Sequence, residues 1–297
     1  MIIKNKVPIL YLFHKIKVDL LWVLCINIGV TILLTQVSDK IPEMPLNIPA
    51  FLGTAISVLL SFKMAQSYDR WWEARQIWGV IVNDSRTLVL QLQGFCPDGN
   101  LEKIKTIALR QIAWCYTLVN RLRGISNFDK GSENIPSKEW ASTSKKNHIP
   151  LAIAQNQISD LRQMRESKII GGFEHTQIDS TITRLIESMG RAERIKNTIF
   201  PTTYKYVLHA SIFVFVIVLD ISLKHVHFIF QLPLILVISS IFFLLEKSST
   251  NLQNPFNNDP TDTPMTTICE TIEGDLKELV GESYEKPKVN KKLFYQM

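Results

Sequence analysis

The chain has 297 residues and a formal net charge of +6, from 33 lysines and arginines against 27 aspartates and glutamates. Its mean hydropathy of +0.09 is high for a soluble protein and low for one lying wholly in lipid, so the length fits one membrane domain plus one soluble domain. The basic residues flank apolar blocks and no nucleic-acid motif is present, which points to the positive-inside bias of cytosolic loops and not to nucleic acid.

Residues 1–17 are basic and amphipathic, with Lys4, Lys6, Lys15 and Lys17 among Ile, Leu, Tyr and Phe. This segment is expected at the cytosolic membrane surface. The apolar block that follows has no small-residue cleavage site, so it reads as an anchor and not as a signal peptide. Leu20 to Val37 is uncharged and meets the ~20 residues that a crossing needs. Residues 38–45 form a turn with two prolines, and Leu46 to Phe62 is the second uncharged block. The first region is therefore 1–62, a hairpin of two spans.

No proline falls between Pro49 and Pro97, so one helix is expected to run from the second span far into water. Trp71, Ala74, Trp78, Ile81, Ser85, Leu88 and Leu92 follow at steps of three and four, which places them on one helix face. Trp71, Trp72 and Trp78 are the expected aromatic anchors of helix and subunit packing. Arg70 and Glu73 are spaced to pair. The region 63–200 carries further helical patterns at 101–124, 151–167 and 175–197, with Pro97-Asp98-Gly99-Asn100 as a turn. Residues 127–147 read as a loop with a short helix.

The region 201–247 holds two more apolar blocks, about 204–223 and 228–245, the latter kinked at Pro233. Four spans put both termini on one side, and the lysines make that side cytosolic. His209 and Asp220 lie in the third span; the expectation for Asp220 is the outer interface. Residues 248–297 contain a proline-rich loop, a helix from Pro264 to Leu279 with Asp262 or Thr263 as its cap, and a lysine-rich tail. The fold class expected is all-α.

Few residues suggest chemistry. The sequence has no nucleotide loop, no HExxH, no GxSxG and no Cys/His cluster, so neither an enzyme nor a bound cofactor is expected. Cys25, Cys96, Cys115 and Cys269 are far apart without CxxC spacing, which argues against metal binding and disulfides. Thr54, Val58 and Phe62 stand at i, i+4 and i+8 on one face of the second span. Helix packing explains such spacing. Rings of these residues around a symmetry axis would instead make a narrow apolar pore.

The run SYDRWWEAR (67–75), followed by IWG and RTLVLQL, resembles the bestrophin family in its prokaryotic branch. A second run, NPF with an Asp-containing turn, then Pro264 and Cys269 to Leu276, resembles the same family in the right order. The resemblance covers nearly the whole chain. It implies a homopentameric ion channel around a central pore, in a bacterial cytoplasmic membrane. It places the neck at Thr54, Val58 and Phe62 and a cytosolic aperture at Ile149. Family necks are usually apolar at all three rings, and Thr54 departs from that. Animal members bind calcium after NPF; here Asp259 and Asp262 are the only carboxylates in the turn, few against the six to eight oxygens of a calcium site, so calcium-independent activity is expected. Lys63 beside the neck favours chloride, with a sodium channel of the same fold as the alternative. A secondary transporter would show internal repeats, which are not seen. A membrane scaffold would need a docking surface, which the sequence does not display.

Overall fold

A computed structural model describes residues 8–37, 42–126, 129–198 and 201–285. Among the described residues the regular structure is entirely helical: α1 (Ile9–Val37), α2 (Asn47–Phe95), α3 (Leu101–Arg123), α4 (Asp129–Ser132), α5 (Ser137–Thr143), α6 (Ile149–Glu166), α7 (Gly172–Asn197), α8 (Thr202–Ser222), α9 (Phe228–Leu252) and α10 (Met265–Leu279). They form two compact units. One holds α1, the start of α2, α8 and α9; the other holds α2 from Trp72 onward with α3–α7 and α10. Helices α1, α2, α8 and α9 are long and apolar enough to cross a membrane.

The expected long helix is present. The 49 residues of α2 rise about 73 Å at 1.5 Å per residue. It stops at Phe95 and is followed by a turn in which Gly99 takes φ +95°, a left-handed value that glycine adopts without a Cβ penalty. The amphipathic segment and first span are not separate: α1 is unbroken from Ile9, because nothing between Lys17 and Leu20 interrupts the backbone ladder. Residues 1–7 and the first half of the interspan turn, 38–41, lie outside the described residues. The 127–147 stretch holds two short helices, α4 and α5. Pro233 sits inside α9, which continues through it.

In the unit of α3–α7 and α10, α3 is the central element. Fourteen of its residues are buried, among them Ile107, Ile112, Trp114 and Leu118. The face anticipated on α2 is the buried one: Ala74, Trp78, Ile81, Ser85, Leu88 and Leu92 are all 0 % exposed. Charged groups tie the helices at the edge of this core. Arg110 on α3 donates to Glu139 on α5 (2.7 and 2.9 Å) and to Asp160 on α6. Burial works against the Glu139 carboxylate, but hydrogen bonds from Arg110 and Asn156 outweigh it and hold its pKa below the usual range. Arg184 on α7 donates to Asp84 on α2, and Arg86 on α2 to Asp275 on α10. Glu73 accepts from Arg194 on α7 at 3.1 Å.

The helix anticipated at the C-terminal side begins one residue later than expected. Pro264 is the cap residue of α10, and no side chain caps it. Asp262 turns back instead, its Oδ2 accepting from the Asp259 backbone N–H at 3.0 Å, because a short aspartate side chain competes well for nearby backbone donors.

In the other unit the core is Ile16, Val23, Ile56, Leu60, Leu208, Ile212, Phe215, Val216, Ile235 and Phe243 with their neighbours. Asp220 stands two residues before the end of α8 and is 0 % exposed. Its Oδ1 accepts from Asn27 Nδ2 on α1 at 2.8 Å and Gln231 Nε2 on α9 at 2.6 Å. Burial of a carboxylate demands such donors, and three helices supply one polar joint.

Candidate functional site

The candidate site is one face of α2. At about 100° per residue, Ile56, Leu60, Lys63 and Ser67 cluster on one side of the helix, and all are at most 3 % exposed. The opposite side is open: Phe51, Thr54, Ala55, Ser57, Val58, Leu59, Ser61 and Phe62 are exposed. This open front spans about 200° of the helix, and Thr54, Val58 and Phe62 lie along its middle. Val58 is 49 % and Phe62 63 % exposed. The Thr54 hydroxyl donates to the Ala50 carbonyl at 2.9 Å, so its hydrogen is used within the helix.

Lys63 does not join that front. It is 0 % exposed and its ammonium lies 3.2 Å from Glu246 Oε1. The expectation that Lys63 favours anions beside the neck is overturned, because its charge is buried on the far side of α2 and matched by a carboxylate on α9. Sequence spacing placed Lys63 next to Phe62 correctly; the 100° turn between neighbouring residues sends it elsewhere.

Ile149 stands at the first turn of α6. It is 8 % exposed and packs in the core of its own chain. His148 caps the helix, its Nδ1 accepting from the Leu151 N–H at 3.2 Å, and its Nε2 lies 2.9 Å from Glu193 on α7. Leu151, two residues on, is the exposed apolar side chain there, at 46 %. Of the three tryptophans, Trp78 is 0 % and Trp72 46 % exposed, and Trp71 is half-buried beside Tyr68, their ring centroids 5.9 Å apart. Trp78 therefore anchors its own chain, while Trp72 presents a large apolar surface outward.

The turn after NPF offers little to a metal. Asp262 is 1 % exposed; burial pushes its carboxyl up to about 6 despite hydrogen bonds from the loop amides of 257–259. Asp259 is half-buried. Two carboxylates, one of them drawn into its own loop, do not make the six to eight oxygens of a calcium site. The residues present do not fit that ion.

Four apolar helices long enough to cross a bilayer, joined to a separate helical unit, define an all-α multi-span membrane protein. The family model described as bacterial/fungal bestrophin protein matches residues 11–278, and the chain belongs to the bestrophin family. It is 29 % identical over 278 residues to the voltage-dependent anion channel-forming protein YneE of Salmonella typhi, covering 90 % of this chain and 88 % of that one. It is 26 % identical over 232 residues to the voltage-dependent anion channel-forming protein alr2987 of Nostoc sp., covering 77 % and 75 %. The crystal structure of a bacterial bestrophin homologue from Klebsiella pneumoniae superposes with a TM-score of 0.85 at 23 % identity, over 91 % of this chain and all of that one. At that identity the likeness speaks for the fold.

Proposed function

We propose that the protein is a passive ion channel that conducts anions such as chloride, assembled as a homopentamer in a bacterial cytoplasmic membrane with both termini in the cytosol. The observation that carries this reading is the open front of α2. A helix whose back is packed tightly and whose front exposes Val58 and Phe62 can meet either lipid or copies of itself around an axis, and a ring of copies is the reading we adopt. The middle of the front then lines the path as the neck of Thr54, Val58 and Phe62, and its flanks meet neighbouring copies. An apolar constriction of this kind gates by dewetting. Trp72 is assigned to contact between copies. Ile149 is proposed as the aperture, although it is only 8 % exposed, and Leu151, two residues on and 46 % exposed, is the alternative.

The anion preference draws its support from the relatives, which are named for anion channels, and not from Lys63. Among the described residues no cluster of carboxylates, histidines or cysteines could hold calcium, and activity is expected to persist in chelator. The test is purified protein in planar bilayers under asymmetric NaCl. A reversal potential near that of chloride supports the reading, and one near that of sodium identifies a cation channel of the same fold. Phe62→Ala is expected to raise single-channel conductance with the oligomer intact. If Phe62→Ala, Val58→Ala and Thr54→Ala all leave the current unchanged, the neck lies elsewhere. Ile149→Ala and Leu151→Ala compared in the same assay tell which side chain sets the aperture.

A further inference from the structure

Behind the neck, one network joins all four long apolar helices. Lys63 Nζ on α2 donates to Glu246 Oε1 (3.2 Å) and to Thr250 Oγ1 (3.1 Å) on α9. Glu246 Oε2 lies 3.8 Å from His209 Nδ1 on α8, and His209 Nε2 lies 3.6 Å from Asp19 Oδ1 on α1. Lys247 Nζ lies 3.3 Å from the other Asp19 oxygen. The hairpin connectivity accounts for the meeting. Asp19 starts the first span, Lys63 ends the second, His209 is early in the third and Glu246 is late in the fourth, so all reach the same end of the bundle. The two ammonium and two carboxylate charges cancel within the network.

An unpaired ammonium at this depth is costly, and an apolar pair of equal volume generally holds two helices at least as well as a buried ion pair. What the ion pair adds is direction. Lys63 Nζ has two acceptors on one turn of α9, so the rotation of α2 about its axis is defined at the residue next to Phe62. The Tyr204 hydroxyl on α8 also donates to the Leu59 carbonyl at 2.9 Å, a second polar hold on the same turn of α2.

We propose that Lys63 and Glu246 are a positioning pair for the neck: they set the rotation of α2 that turns Phe62 to the ion path, and Lys63 does not itself decide the sign of the ion. This rests on the assignment of Thr54, Val58 and Phe62 to the neck, and the experiment separates the two. The full-length protein would be purified and reconstituted as wild type, Lys63→Met, Glu246→Gln, the double variant Lys63→Met with Glu246→Leu, and Phe62→Ala. Each single variant of the pair is expected to yield at least ~10-fold less assembled channel, because one buried charge is left alone. The double variant is expected to recover assembly and to keep the wild-type reversal potential in asymmetric NaCl, while its conductance departs from wild type because the rotation is no longer fixed. A double variant with wild-type conductance overturns the positioning role. A reversal potential that moves toward sodium in the double variant shows that Lys63 decides the sign and overturns the second half of the proposal. Phe62→Ala with unchanged conductance overturns the neck assignment itself, whereas an altered Phe62→Ala beside silent pair variants overturns the pair alone.

Discussion

Both units have apolar cores, but they differ in what they turn outward and where they keep their charges. In the unit built around α3, large apolar side chains such as Trp78, Trp114 and Leu118 fill the interior, and charged pairs such as Arg184–Asp84 and Arg86–Asp275 lie toward its edge. In the unit of α1, α8 and α9, Ile9, Leu21, Trp22, Val207, Phe230 and Val237 face outward, while Lys63, Glu246, Asn27 and Asp220 are interior. Water explains the first arrangement, since apolar burial drives it. Lipid explains the second: its tails are as apolar as leucine, so outward apolar side chains cost nothing and polar groups must find one another inside.

Substitutions sharpen or break this contrast. The largest effect is expected from Trp78→Ala, which empties the centre of the water-facing core and should lower unfolding stability by roughly 3–5 kcal/mol; chemical denaturation followed by near-UV circular dichroism reads it. Trp72→Ala should leave that stability unchanged and reduce the oligomer yield. Next in size is Val237→Arg. An arginine at the middle of a span costs ~2.5–3.5 kcal/mol of insertion, measurable as a lost membrane fraction, whereas Phe173→Arg, at a site that is 93 % exposed in the other unit, should change nothing. Equal outcomes for these two exposed positions would dissolve the contrast.

Two carboxylates in the water-facing unit should respond to pH with opposite sign. Asp262 is raised from 3.8 to about 6, so the folded state binds its proton more tightly than the unfolded one. Its burial costs nothing below the unfolded value and costs progressively more as pH rises through that window. Asp262→Asn should therefore match wild type at low pH and exceed it by about 1–3 kcal/mol above the window. Glu139 is lowered, so its contribution is present at neutral pH and lost in acid. Glu139→Gln should be destabilising at neutral pH, and the difference should shrink as pH falls through the carboxylate range. The smallest effect belongs to Arg162→Ala, whose pair with Glu166 is exposed on both sides; exposed pairs of this kind often contribute nothing measurable, and the melting temperature should not move.

Much of this was readable along the chain because its causes are local. A proline-free run sets the length of α2, an apolar window sets a span, and steps of three and four set which residues share a face. These rules placed α2, α3, α6 and α7 within a few residues and put Thr54, Val58 and Phe62 on one side of their helix. The same rules run too far at α1, where the composition changes near Leu20 but the helix continues unbroken from Ile9 to Val37. They also erred at α10, where two polar residues before a helix looked like caps and Asp262 bonds its own loop instead.

What the sequence by itself determined is the kind of protein: helical, four times apolar enough to cross lipid, and marked by its aromatic run as one of the bestrophins. Only the tertiary structure decided where the charges go. Lys63 finds Glu246 across 183 residues of chain, and Asp220 finds Asn27 across 193. No periodicity encodes such pairings, because they follow from how helices far apart in sequence stand together, and they make Lys63, the neighbour of exposed Phe62 in sequence, a buried partner of Glu246.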